Sequence, residues 1–185
     1  MAFAQTRTGT YTEDDYYNIP EDIRAELIDG QIYYMAAPSR THQAILSELH
    51  LVIGNYIKKR GGSCHIYPAP FAVKLFDDKK TIVEPDLSVI CSSSKLTDKG
   101  CTGAPDWIIE ITSPSTSSHD HVRKLNLYAN AGVREYWIVD SSNQKVFVYH
   151  LEETSFRADC YTFQDEINAN IFEDLSITLA DLDIS

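Results

Sequence analysis

Trp107-Ile108-Ile109-Glu110-Ile111 decides how this chain is read. Side chains of a strand alternate between faces, so Trp107, Ile109 and Ile111 share one side while Ile108, Glu110 and Thr112 share the other. Both sides are apolar, and Glu110 is therefore not the wet face of an amphipathic strand. An ionised carboxylate in such a place costs several kcal/mol unless it is paired or bound to a metal. A second acid, Asp86, follows Pro85 at the head of another apolar strand, Leu87-Ser88-Val89-Ile90. Two carboxylates on neighbouring strand ends, with a lysine further on, are the parts of a divalent-metal phosphodiesterase site.

Downstream, the strand over residues 107–112 leads through Ser113-Pro114-Ser115-Thr116 into a helix over about 118–131, closed by Gly132. Strands over 135–140 and 145–151 then form a hairpin around Ser141-Ser142-Asn143. The strand-helix-strand unit from Trp107 to Val139 is expected to be parallel and right-handed. Weaker strand signals run over 156–163 and 171–177.

Upstream, Ile45, Leu49, Val52, Ile53, Tyr56 and Ile57 form one stripe of a helix from Thr41 to about Lys59, ended by Gly61-Gly62. Short strands are expected over 63–67, 71–76 and 87–91, with a polar loop over 92–104. Asp29-Gly30 between two strand-like runs, 25–28 and 31–35, signals a hairpin. Thr12 caps a short acidic helix stopped near Pro20. Residues 1–11 read as a flexible terminus and 12–185 as one domain. The expected fold class is α/β (α+β): a mixed central sheet flanked by helices, with N-terminal and C-terminal β-hairpins.

Bulk composition narrows the function classes. The chain has 185 residues, long enough for a sizeable core, with 43% apolar and 23% charged residues. No apolar run approaches the ~20 residues of a membrane span, and the N-terminus lacks the pattern of a secretory signal. Cys64, Cys91, Cys101 and Cys160 form no Cys-x-x-Cys pair, so reduced thiols in a cytoplasmic protein are expected and zinc is not. A net charge of −11 argues against coating nucleic acid by general electrostatics. It leaves room for a site that grips phosphate through a metal and a few local cations.

Pro85-Asp86, then 23 residues, then Glu110-Ile111-Thr112 is the layout of PD-(D/E)XK nucleases. Further motifs narrow the resemblance: Val83-Glu84-Pro85-Asp86-Leu87-Ser88-Val89, Gly103-Ala104-Pro105-Asp106, Ile109-Glu110-Ile111-Thr112-Ser113-Pro114-Ser115-Thr116, Lys124 with Tyr128, and Ala131-Gly132-Val133-Arg134-Glu135-Tyr136-Trp137-Ile138-Val139-Asp140. Together they resemble the Uma-type family of bacterial restriction-endonuclease-like proteins over roughly residues 12–150. The resemblance implies a metal-dependent endonuclease acting on phosphodiester bonds, with DNA as the nucleic-acid partner and a homodimer as the assembly. The alternative, from another class, is a catalytically inactive interaction protein that keeps the scaffold.

By the same resemblance, Asp86, Glu110 and the Ile111 carbonyl hold Mg²⁺ or Mn²⁺. The general motif has lysine two residues after the acid, where this chain has Thr112. Lys124, about two turns into the following helix, is the expected replacement. Glu26 resembles the acid that many members of the fold add near the metal, and His42 and Gln43 are expected to face the same cleft. Plainer alternatives stand beside these roles: Asp86 as a turn cap after proline, Glu110 as a structural acid paired with a buried Arg or Lys, Glu26 as a surface partner of Arg24, His42 as a helix-start histidine bonded to a carbonyl, and Lys124 as an exposed helix lysine.

Overall fold

The computed structural model describes residues 3–7, 9–112, 118–152 and 155–184. The N-terminal part comprises β1 (Phe3–Arg7), α1 (Glu13–Tyr17), β2 (Ala25–Ile28), β3 (Gln31–Met35) and α2 (Arg40–Arg60). Then come β4 (His65–Pro68), β5 (Val73–Lys74), β6 (Ile82–Val83), β7 (Leu87–Ile90), β8 (Leu96–Thr97), β9 (Gly100–Thr102) and β10 (Trp107–Thr112). The remainder is α3 (Ser118–Ala131), β11 (Glu135–Asp140), β12 (Lys145–Glu152), β13 (Ser155–Thr162), β14 (Ile167–Asn168) and β15 (Ser176–Ile177).

The central sheet has the order β13-β12-β11-β10-β7-β4 and mixes both pairings. β10 runs parallel to β11 and antiparallel to β7, as the connection through α3 requires. Both faces are covered. Ile45, Leu49, Ile53 and Ile57 of α2 pack with Trp107, Ile109 and Ile111. Leu127 and Tyr128 of α3 pack with Ile108, Tyr136 and Ile138. The two-residue alternation read from β10 is thus realised against two different helices. Glu135 enters the α2-side core because its carboxylate accepts from Trp137 Nε1 (2.7 Å), Asn170 N (2.8 Å) and Ile171 N (3.0 Å). Burial still raises its pKa above the ordinary value, against those three donors.

A second sheet, β1-β3-β2-β6-β5-β9-β8, was not foreseen. The Asp29-Gly30 hairpin belongs to it, and both turn residues have positive φ (51° and 76°), the geometry that favours this dipeptide. Phe3–Arg7, expected to be frayed, pairs with β3. The expected polar loop over 92–104 contains β8 and β9, while the expected strand over 171–177 is reduced to β15. Alternation over five or more residues betrays a strand; runs of two or three residues show no period, and their pairing is decided by neighbours distant in sequence. The connection Ser113-Pro114-Ser115-Thr116 lies outside the described residues.

Cys64 and Cys91 stand at the end of the β4–β7 ladder and are joined by a disulfide, which corrects the expectation of four reduced thiols. Among the described residues, no helix is long and apolar enough to cross a membrane.

Gly100 tests the second sheet. A Cβ at this position would stand 2.0 Å from the Ala72 carbonyl oxygen, and φ is +132°. Cys101 N donates to that same oxygen at 2.9 Å, so the two segments cannot separate without losing the pair. Gly100→Ala is expected to cost at least about 2 kcal/mol, read as a lower urea midpoint. An unchanged midpoint would show that β9 does not lie against residue 72.

Candidate active site

The β7–β10 ladder pairs Leu87 with Ile109 and Val89 with Trp107. One step further in this register sets Asp86 opposite Glu110, so two acids from distant segments become cross-strand neighbours. Pro85 stands between Glu84 and Asp86, in the segment that leaves β6 of the second sheet and enters β7 of the central one. Ala69 N donates to the Asp86 carbonyl at 2.9 Å and fixes that crossing.

Asp86 is fully buried. Its Oδ2 accepts from His42 Nε2 at 3.0 Å and from Ile111 N at 2.8 Å. Burial opposes ionisation of this carboxyl, but the His42 bond and charge and the Ile111 N–H outweigh it, and the pKa is lowered. His42 reaches Asp86 because Ser39 caps α2, its hydroxyl accepting from His42 N at 3.2 Å. The histidine's first hydrogen-bond partner is therefore an acid, not the backbone carbonyl of the plainer reading.

Lys124 comes from α3 and is only 3% exposed, not the surface lysine of its alternative reading. Its Nζ donates to Glu110 Oε1 at 2.9 Å and to Glu26 Oε1 at 3.1 Å. Tyr128, one turn along the helix, donates its hydroxyl to the same Glu110 oxygen at 2.7 Å. That role escaped the sequence reading, although the i, i+4 spacing of Lys124 and Tyr128 places both on one helix face. Burial, with Glu110 and Glu26 nearby, raises the Tyr128 pKa well above the usual phenol range and keeps it a donor.

Glu26 is fully buried in β2 and also accepts from Glu84 N at 3.0 Å. It is not the surface partner of Arg24, which pairs with Glu84 Oε2 at 3.0 Å. Tyr16 donates to the other Glu84 oxygen at 2.9 Å. The Glu26 pKa is raised: burial is the largest cause, Lys124 opposes it, and Glu110 adds to it.

The structure thus places these residues in two hydrogen-bonded groups, Asp86 with His42 and Ile111 N, and Glu110 with Lys124, Tyr128 and, through Lys124, Glu26; Glu110 and Ile111 are adjacent on β10. Gln43 is exposed, and among the described residues no hydrogen bond joins its side chain to the cluster. Nor do the acids line a cavity of about 560 Å³ between α2 and β4, which is bounded by residues such as His50, Lys58 and His65. Among the described residues no three His, Cys, Asp or Glu side chains form a ready metal cage. The expected ligand set, two carboxylates and a backbone carbonyl, would not make one.

The family model described as "Uma2: Putative restriction endonuclease" matches residues 13–180. The chain belongs to that family. An uncharacterized protein of Synechocystis sp. is 30% identical over 126 residues, 68% of this chain and 65% of its own length. The chain therefore spans just under two thirds of that relative. A crystal structure from Anabaena variabilis, titled "a putative nuclease belonging to DUF820", superposes with a TM-score of 0.75 at 25% identity. The match covers 92% of this chain and 96% of that one. The mixed sheet flanked by helices thus matches the fold of that solved structure, as the sequence motifs implied.

The Lys124 ammonium is the group whose removal the acids should feel most. A carboxyl with a folded pKa above its unfolded one favours folding below the unfolded value, near 4.5 for Glu26. That contribution is lost as pH rises through the folded value. Lys124→Met removes the opposing cation and raises the folded value further. Its destabilisation is expected to grow with pH, reaching about 3–5 kcal/mol at pH 8 and less at pH 5 in urea unfolding. Equal losses at both pH values would mean that carboxylate charge is not what the ammonium balances.

Proposed function

We propose that this Uma2-family chain is a nuclease that hydrolyses phosphodiester bonds, with DNA as substrate and Mg²⁺ or Mn²⁺ as cofactor. The observation that carries the reading is that Asp86 Oδ2 accepts from Ile111 N, next to Glu110, whose Oε1 receives a buried ammonium at 2.9 Å. The donor set fits a hard divalent cation, because its side-chain oxygens are carboxylate and it has no thiol. Asp86 Oδ1 and Glu26 Oε2 are buried with no hydrogen-bond partner among the described residues. Such oxygens are costly to leave bare and are natural places for a cation or its water.

Asp86, Glu110 and the Ile111 carbonyl would hold the cation, with Glu26 beside them. When bound, it supplies Lewis-acid polarisation of the phosphate and acidifies a coordinated water. The chain's own groups do the rest. His42 and Ile111 N fix the Asp86 rotamer and keep that carboxyl ionised. Tyr128 fixes Glu110 through the oxygen that also receives Lys124. Lys124 lowers the cost of negative charge that develops on the phosphoryl oxygens and steadies the attacking water. A cytoplasmic setting is proposed with this reading.

Two measurements test it. Wild-type protein is expected to bind Mn²⁺ in calorimetry and Asp86→Ala to lose that binding; equal binding by both would remove Asp86 from the metal site. With Mg²⁺ or Mn²⁺, the protein is expected to cut plasmid DNA in preference to RNA, and Lys124→Ala to slow cutting about 10²–10³-fold. Cutting unaffected by that change would take Lys124 out of the scheme. Absence of cutting from a protein that binds metal and DNA would favour the non-catalytic interaction protein.

A further inference from the structure

β13 is the last strand of the central sheet, eight residues long, and among the described residues no strand covers its outer edge. A long open edge is a template for another strand. The face beside it is apolar. Register pairs Phe147 with Cys160, Tyr149 with Ala158 and Leu151 with Phe156, so these six side chains share one side of the sheet. Phe156 is 65% exposed, Ala158 and Cys160 are exposed, and Tyr149 is half-buried with its ring 6.2 Å from that of Phe156.

We infer that this edge joins β13 of a second copy of the chain, antiparallel about a two-fold axis through Ala158. Among the registers centred on residues 157, 158 and 159, the charge pattern favours one. Opposed side chains in a sheet must share a face, so a two-fold axis perpendicular to the sheet passes through a residue. An axis through residue 157 would set arginine against arginine, and one through residue 159 would set aspartate against aspartate. The axis through Ala158 sets Arg157 opposite Asp159 of the second copy, twice, and Phe156 opposite Cys160 of the second copy. Like charges directly opposed destabilise a strand pair, whereas opposite charges support it.

These charges are also ordered in advance. Arg157 Nη2 donates to His150 Nε2 at 2.7 Å, and its Nε forms an ion pair with Asp159 Oδ2 at 2.8 Å. Association then freezes few rotamers. The self-complementary surface is isologous and closes on itself, as a two-fold dimer requires.

Sedimentation of the full chain at about 50 µM is expected to give twice the 20.9 kDa chain mass. Arg157→Asp and Asp159→Arg, each made alone, are expected to be folded by circular dichroism and monomeric. One variant carries acids at both positions and the other carries bases. Mixed one to one, the two variants are expected to form a heterodimer, which neither forms with itself. Phe156→Asp, at an exposed position, is expected to weaken association at least about tenfold without unfolding the chain. A monomeric wild type, single variants that remain dimers, or a mixture that stays monomeric would overturn the inference. Metal binding and DNA cutting are measured separately, so failure of either reading leaves the other intact.

Discussion

Lys124 Nζ lies 2.9 Å from Glu110 and 3.1 Å from Glu26, and those acids belong to different sheets. A single ammonium from α3 therefore ties the central sheet, the second sheet and a helix together at one point. Without it, two carboxylates would be held together inside the protein, and the raised pKa of Glu26 shows the direction in which such a pair relaxes. Breaking one partner of a buried ion pair is far more damaging than never having built it. The arrangement is thus a poor choice for stability alone and a sensible one for a site that must hold charge in readiness.

Asp86 is placed by a different device. Its backbone lies where the chain crosses from β6 to β7, and its side chain is pinned by the first turn of α2 through His42. Glu84, two residues earlier, is clamped by Tyr16 and Arg24 while its N–H holds Glu26. The short segment Glu84-Pro85-Asp86 therefore positions acids on both sides of the crossing. Tyr16 of α1 and Arg24, just before β2, act on the site through Glu84, whereas β2 itself delivers Glu26 to Lys124.

The elements legible in the sequence were those with a period to read. β10 and β11 matched to the residue, and α2 and the Asp29-Gly30 hairpin nearly so, because each carries its own repeat or turn chemistry. Of the strands missed or misplaced, β6, β8, β9, β14 and β15 have two or three residues each and exist only as partners of something else, while the five residues of β1, Phe3–Arg7, carry no apolar alternation to betray them. The site followed the same division. Glu110 betrayed itself as a charge in an apolar strand, and Asp86 by its place after Pro85. The Glu26 contact with Lys124 spans 98 residues of sequence, and no local pattern encodes it. Cys64 and Cys91 likewise meet through strand register rather than through any spacing motif.

Thr112 occupies the position where the general motif has lysine, and it is buried with its hydroxyl donating to the Val139 carbonyl at 3.4 Å. That side chain is committed to the seam between β10 and β11. The ammonium beside Glu110 comes instead from Lys124 of α3, an element whose azimuth is set by rotation about the helix axis, not by the pleat. Residues lining the sheet can then drift with the hydrophobic packing while the cation keeps its aim. Conversely, a slip of α3 by one residue would swing it roughly 100° away and break both of its ion pairs without altering a single acid.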